Sequence, residues 1–175
     1  LTDFRVESQG DTSLPNLISF DFDPKTINTA TSSQQLSFTA HLTDDLSGLG
    51  CDDNIFMCGV GQAYFRSPSG QQNAHISFSS RDLVSGNDLD GVYASKLTLP
   101  KYSEQGTWTL ESFSIQDRVG NDKRLSRGEM AVLGFPTDFQ VESEGDTSPP
   151  NLIGFDFDPK IINTATSSQQ ILFTA

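Results

Sequence analysis

The sequence predicts an all-β protein, an antiparallel β-sandwich of about seven strands with one short helix before the last strand. Many short segments alternate apolar and polar residues with a period of two, as strands do when one face is buried. Gly, Ser, Thr, Asn and Asp, the residues that turns need, are abundant in the sequence. A hydrophobic fraction of 35% with 13 Phe in 175 residues is sufficient for a core.

The first two predicted strands show the alternation most clearly. Ile18, Phe20 and Phe22 share one face of the first strand, and Pro24 ends it. In the second strand every other residue of 36–42 is apolar. Both strands are therefore expected to bury one face and expose the other.

Five further strands are predicted, at 60–66, 74–80, 92–99, 107–116 and 138–142. In the fourth of these, Trp108 and Leu110 have one parity, whereas Phe113 and Ile115 have the other. A β-bulge near 111–112 would place all four side chains in the core.

A helix of about two turns is predicted between Ser126 and Gly134. Ser126 and Glu129 have the spacing of a capping box, and Met130 and Leu133 are three residues apart. Gly134 suits the position after the last helical residue. With seven strands and one short helix, the pattern is typical of a β-sandwich.

The two ends of the chain are copies of each other. Residues 2–40 return at 137–175 with 32 of 39 positions identical, an offset of 135 residues. Duplication at the length of a domain indicates tandem repeats.

This duplication predicts three parts in the chain. Residues 1–10 are the tail of a preceding repeat, and residues 11–145 form one complete repeat. Residues 146–175 supply the first two strands of the next. We expect neighbouring repeats as partners. Strand exchange of 146–175 with a second copy of the chain would give a homo-oligomer, and an appended hairpin is the alternative.

The framework DTS-x-PNL…FDFDP, TDDLSG, FRSPSG, GTW-x-L…DRVGN and LGFPTDF-x-V resembles the immunoglobulin-like (Big-type) repeats of bacterial surface and secreted proteins. This resemblance implies a Greek-key sandwich in an array that is extracellular, on the cell surface or periplasmic. Adhesive and spacer roles are implied, and no specific ligand is. The insertion CDDNIFMC departs from the pattern.

Cys51 and Cys58 are the two cysteines, and they bracket that insertion. Zinc would need four ligands, and no second cysteine pair exists. The hypotheses that remain are a local disulfide and two free thiols. A disulfide would indicate an oxidising compartment.

In an immunoglobulin-type sandwich, the start of the first strand and alternate loops gather at one end. That end would collect the acids Asp11, Asp44, Asp45, Asp52, Asp53, Asp88, Asp90, Asp117 and Asp122. Two hypotheses explain these acids, and one of them is a calcium site with Asp44, Asp45, Asp117, Asn121 and Asp122 as the candidate ligands. The other hypothesis, which the residue types favour, is turn formation, because Asp and Asn also satisfy loop backbones. No EF-hand pattern is present.

Composition excludes several classes of function. A net charge of −12 and a pI near 4.3 argue against a nucleic-acid partner. No segment is long and apolar enough to cross a membrane, so no membrane insertion is expected. Serines lie outside the motifs of Ser nucleophiles, and we expect no enzyme and no certain cofactor.

Two functions remain. The first is a non-catalytic tandem repeat that acts as a stalk, a spacer or an adhesive module. The alternative is a carbohydrate- or protein-binding module of a secreted enzyme. That module would need exposed aromatic side chains, for which Tyr64, Phe65, Tyr93 and Tyr102 are the candidates.

Overall fold

The computed structural model describes residue 7, residues 10–50 and residues 59–175. These contain twelve strands: β1 (Asn16–Asp23), β2 (Thr26–Asn28), β3 (Gln34–Thr43), β4 (Gly61–Arg66), β5 (Asn73–Phe78), β6 (Leu83–Gly86), β7 (Asp90–Leu99), β8 (Gly106–Gln116), β9 (Asp122–Ser126), β10 (Asp138–Glu142), β11 (Asp156–Asp158) and β12 (Leu172–Thr174). The helix α1 (Arg127–Val132) lies between β9 and β10. The predicted all-β class with one short helix is confirmed.

Ten of these strands form two facing sheets. The first sheet has the order β1-β3-β7-β6, and the second has the order β2-β10-β8-β4-β5, with β9 also paired to β8. All of their pairings are antiparallel except that of β2 with β10. Strands β11 and β12 form a separate pair.

Phenylalanine rings fill the space between the two sheets. Phe20 on β1 contacts Phe113 on β8 with ring centroids 5.2 Å apart. Phe38 on β3 lies 5.6 Å from Phe65 on β4, and all four side chains are buried. Each buried Phe contributes about 1.5–3 kcal/mol, and aromatic pairs add about 0.5–1.5 kcal/mol. This cluster is the main source of cohesion between the sheets.

The β-bulge predicted in the long strand is present in β8. Tyr64 of β4 pairs with Ser112, and the next residue, Phe65, pairs with Leu110, so Glu111 is the extra residue. The bulge reverses the parity of the strand. As a result Trp108, Leu110, Phe113 and Ile115 are all buried.

A second bulge, in β1, makes one prediction wrong. Leu17 pairs with Leu42 and Ser19 pairs with His41, so Ile18 is skipped. Leu17 is therefore buried, whereas Ile18 is 50% exposed instead of sharing the face of Phe20. Simple alternation does not reveal a bulge when the neighbouring residues are both apolar.

The predicted helix is present with its predicted caps. The Ser126 side chain accepts a hydrogen bond from the Glu129 amide, and the Glu129 side chain accepts one from the Ser126 amide. Gly134 has φ +81° and donates its N–H to the carbonyl of Ala131, which ends the helix. Met130 is fully buried, but Leu133 is 53% exposed and does not join the core.

Three short strands lie where the sequence predicts no strand. Strands β2, β6 and β9 have three to five residues each, and none of them buries more than one side chain. Ile27 is the buried residue of β2, and Leu125 is that of β9. A strand with at most one buried residue shows no alternation of apolar and polar residues. Its formation therefore depends on pairing with the neighbouring strand.

The hairpin of β11 and β12 has the same register as the β1–β3 pair. Phe22 pairs with Phe38, and 135 residues later Phe157 pairs with Phe173. Lysine Nζ atoms lie 3.8 Å from the ring centroids of Phe22 and Phe157. The two copies therefore have the same local geometry. The division into repeats at residues 11–145 remains a prediction.

The copies differ in their environment. Every residue of 146–175 is exposed, and Phe157 retains 37% of its surface where Phe22 retains 2%. The same sequence is therefore core in one copy and surface in the other. In the described part of the chain no helix has the length and apolar character of a membrane span.

These two phenylalanines give a matched pair of variants. Phe22→Ala should lower the free energy of unfolding by about 3–5 kcal/mol, because it leaves a cavity between the sheets. Phe157→Ala should change it by less than about 0.5 kcal/mol. Denaturant unfolding monitored by Trp108 fluorescence measures both values. Equal losses would contradict the assignment of the core to the first copy.

Candidate functional site

Antiparallel pairing of β1 with β3 brings three carboxylates together at one end of the sandwich. Asn16 at the start of β1 pairs with Thr43 at the end of β3. Asp11 precedes the first of these strands, and Asp44 and Asp45 follow the second. One carboxylate oxygen of each aspartate lies within 4.8 Å of the others. We call these three residues the acidic cluster.

Asp44 is the buried member of the acidic cluster, with 8% of its surface exposed. Its Oδ2 accepts hydrogen bonds from the amides of Leu46 and Gly48, at 3.3 and 2.7 Å. Its Oδ1 is buried and has no hydrogen-bond partner among the described residues. Buried carboxylate oxygens normally have a partner, so this one requires an explanation.

Asp11 and Asp45 are held beside Asp44 by serines. Asp11 accepts hydrogen bonds from the amides of Ser47 at 2.8 Å and Ser13 at 3.0 Å. The hydroxyl of Ser13 donates to Asp45 at 2.7 Å. Hydrogen bonds from the side chain and backbone of Ser47, and from the Ser13 amide, hold the pKa of Asp11 below its usual value. Asp11 is therefore ionised at neutral pH.

The cationic side chains of the described residues do not neutralise the acidic cluster. Arg118 forms its ion pair with Asp88, and Lys123 donates to the side-chain oxygen of Asn16. Within residues 10–50 and 59–175 no Lys or Arg forms an ion pair with a member of the cluster.

Two other predicted ligands belong to a turn beside the acidic cluster. Asp117 Oδ1 accepts hydrogen bonds from the amides of Val119 and Asn121. Its Oδ2 accepts from the side-chain amide of Asn121, which also donates to the carbonyl of Asp11. Turn formation, the alternative explanation, therefore accounts for the Asp117 carboxylate.

Of the five candidate ligands that the sequence offers, the structure brings two together in the acidic cluster. Asp44 and Asp45 come together, and Asp122 lies outside the cluster, at the start of β9. Asp11 was placed at this end of the molecule but not among the ligands. Its position in the sequence could have indicated this role, because the start of the first strand lies beside the end of the second. Cys51 and Cys58 lie outside the described residues, as do Asp52 and Asp53.

At another surface the sandwich binds the chain that leads into the second copy. Asp146 donates its N–H to the carbonyl of Tyr102 at 2.9 Å. Its carbonyl accepts a hydrogen bond from the Gln72 side chain at 2.7 Å. The same Gln72 side chain accepts from the amide of Glu104 at 2.9 Å. We call this arrangement of Gln72, Tyr102 and Glu104 the joint brace.

The Glu104 side chain is buried beside the joint brace, with only 8% of its surface exposed. Its carboxylate accepts hydrogen bonds from the amide and the hydroxyl of Ser69, at 2.8 and 2.7 Å. Burial tends to raise the pKa of Glu104, but hydrogen bonds from Ser67 and Ser69 outweigh it and lower the pKa. The loop that carries Gln72 is thereby fixed to the corner before β8.

A groove of about 660 Å³ lies beside the joint brace and includes Asp146 in its lining. Of the four aromatic side chains that a binding module would use, Phe65 and Tyr93 are buried. Tyr64 and Tyr102 remain exposed by 39% and 43%. Tyr64 donates its hydroxyl to Gln62 and stacks on His75.

Comparison with known proteins identifies the family. No curated protein matches the sequence. Residues 9–141 match a family described as "Domain of unknown function (DUF7743)". The matched range includes the acidic cluster and both sheets up to the last residue but one of β10, and it covers more than half of the chain. The chain therefore belongs to the DUF7743 family.

Proposed function

We propose that this chain is part of a tandem array of non-catalytic sandwich repeats that serves as the stalk or spacer of a bacterial surface or secreted protein. The observation that carries this proposal is the repeated register of the β1–β3 and β11–β12 pairs, 135 residues apart. An array of this kind needs neighbouring repeats as partners, and it needs no catalytic group.

The strand order supports an immunoglobulin-like sandwich. With the main strands lettered in chain order, β1-β3-β7-β6 corresponds to the sheet A-B-E-D of immunoglobulin domains. The order β10-β8-β4-β5 corresponds to G-F-C with one added strand. The sequence resembles the immunoglobulin-like repeats of bacterial surface and secreted proteins. An extracellular location is therefore part of this proposal.

The position of Asp146 indicates that successive repeats would be joined directly, with no free linker between them. By the repeat offset, Asp146 is the equivalent of Asp11. The local turn is also the same, because Ser13 and Ser148 donate their amides to Asp11 and Asp146 at 3.0 and 2.9 Å. Asp146, which would begin the next repeat, is thus also held by hydrogen bonds to the preceding sandwich.

The contacts of this residue with the two sandwiches can be made at the same time. The preceding sandwich binds the N–H and the carbonyl of Asp146 through Tyr102 and Gln72. The sandwich that follows would bind its carboxylate, as Ser47 binds that of Asp11. Asn121 donates to the carbonyl of Asp11, and a carbonyl accepts two hydrogen bonds. Both sets of contacts are therefore compatible, and the joint should be stiff.

In the array, the exposed apolar surface of 146–175 would be covered by the remainder of the next repeat. Ile153, Leu152 and Phe173 are exposed by 100%, 73% and 63% in this chain. The equivalents of the last two, Leu17 and Phe38, are buried. Strand exchange with a second copy would cover the same side chains where the next repeat is incomplete.

A binding module has less support. Two of its four candidate aromatics are in the core, and the groove beside Tyr102 is lined in part by Asp146, at the start of the chain that would form the next repeat. An adhesive role would use the outer faces of the same array and requires no change in the fold.

The stiffness of the joint can be measured on a chain in which residues 41–145 are appended after Ala175, which completes the second repeat. Small-angle scattering should show an elongated particle, about twice as long as one repeat. Gln72→Ala in the first repeat should broaden the distance distribution, because it removes two hydrogen bonds of the joint brace. Gln71→Ala is the matched control, since its side chain is exposed and makes neither bond. A compact particle, or equal profiles for both variants, would contradict the stiff spacer.

The joint brace should also depend on pH. Because the pKa of folded Glu104 lies below its ordinary value of 4.5, its stabilising effect is complete above that pH. The effect is lost as the pH falls through the lowered pKa. Glu104→Gln should cost about 1–2 kcal/mol of unfolding free energy at pH 7, and less in acid, because one amide oxygen replaces a carboxylate.

Denaturant unfolding between pH 7 and pH 3 measures this difference. Glu144→Gln is the control, since Glu144 is exposed and makes no hydrogen bond within the described residues. A Glu104→Gln penalty that is constant across the pH range would disprove the role of the carboxylate.

A further inference from the structure

We propose that the acidic cluster of Asp11, Asp44 and Asp45 binds a calcium ion. Calcium–oxygen bonds are about 2.3–2.6 Å long, so two ligands of one ion lie at most about 5 Å apart. The three carboxylate oxygens satisfy this limit, since they lie within 4.8 Å of one another. Three oxygen donors without nitrogen or sulfur suit calcium better than a transition metal.

The buried oxygen of Asp44 is an independent observation that indicates a ligand. Asp44 Oδ2 is held by the amides of Leu46 and Gly48, which fixes the orientation of the carboxylate. Asp44 Oδ1 is then buried without a hydrogen-bond donor among the described residues. A buried carboxylate oxygen without a donor is unfavourable, and a cation removes the penalty.

The charge of the acidic cluster leads to the same inference. Three carboxylates this close repel one another, and no Lys or Arg of the described residues forms an ion pair with them. The hydrogen bonds of Ser13 and Ser47 use one lone pair each, so the oxygens of Asp11 and Asp45 can still bind a metal. Water and backbone carbonyls would complete the six to eight ligands that calcium takes.

The position of the site gives the ion a mechanical role. Asp11 connects the incoming chain to the loop after β3, because its carboxylate binds Ser47 and lies beside Asp44. Calcium would add ionic bonds to this contact and stiffen the entry of each repeat. That the entry is a joint between repeats rests on the function proposed above, whereas the binding of the ion does not.

Calorimetric titration of the full 175-residue chain, freed of metal with a chelator, tests the site. Calcium chloride in 0.15 M NaCl should bind at one site with a Kd of about 0.1–1 mM, and it should raise the melting temperature. Asp11→Asn and Asp45→Asn should each weaken binding at least about tenfold, as expected when one charged ligand is lost.

Asp146→Asn is the matched control. Asp146 has the same local turn as Asp11 but lacks the partners Asp44 and Asp45, so its replacement should leave the Kd unchanged. Asp44→Asn also removes a support of the turn at 46–48, so circular dichroism must accompany it. Asp45 is exposed, and its variant should fold as the parent does.

Three results would overturn the proposal. The first is the absence of heat and of a melting shift at about 10 mM calcium, well above the expected Kd. The second is unchanged binding by the Asp11→Asn and Asp45→Asn variants. The third is equal binding of magnesium, which would indicate only an acidic surface. Scattering of the two-repeat chain in chelator separates the proposals, because an elongated particle without calcium binding would leave the spacer function intact.

Discussion

The packing of phenylalanine rings between the two sheets is the interaction on which the rest of the structure depends. Phe20, Phe22 and Phe38 come from one sheet, and Phe65 and Phe113 come from the other. Their burial requires each strand to present a fixed parity to the core, and the bulges in β1 and β8 are the local adjustments that maintain it. Once the sheets face each other in this way, the ends of the strands and their loops have fixed positions.

The acidic cluster is a consequence of that arrangement. An antiparallel pair brings the beginning of one strand to the end of its neighbour, and here both ends carry aspartates. The loop after β3 then uses one oxygen of Asp44 to satisfy its own amides. The other oxygen of Asp44 is left buried without a donor, and the Asp44 carboxylate lies close to those of Asp11 and Asp45.

The duplicated segment shows how much one hairpin sequence determines by itself. Residues 156–158 and 172–174 adopt the register of the first copy although nothing in the described residues covers them. The register is therefore a local property of this sequence. Burial is not, because it needs a second sheet, and Phe157 remains exposed where Phe22 is enclosed. In the tandem array proposed above, each repeat would begin with such a hairpin.

The sequence by itself determined the features that depend on residue spacing within one strand or one helix. These are the all-β class, the bulge of β8 that reconciles Trp108 with Phe113, and the capped helix. The tertiary structure alone decided the short strands, the exposure of Ile18, and which aspartates meet. Asp117 and Asp44 have the same chemistry, yet the turn at 117–121 occupies both oxygens of the first, and the loop at 46–48 binds only one oxygen of the second. Such differences depend on which backbone amides converge on a carboxylate, and periodicity carries no information about that convergence.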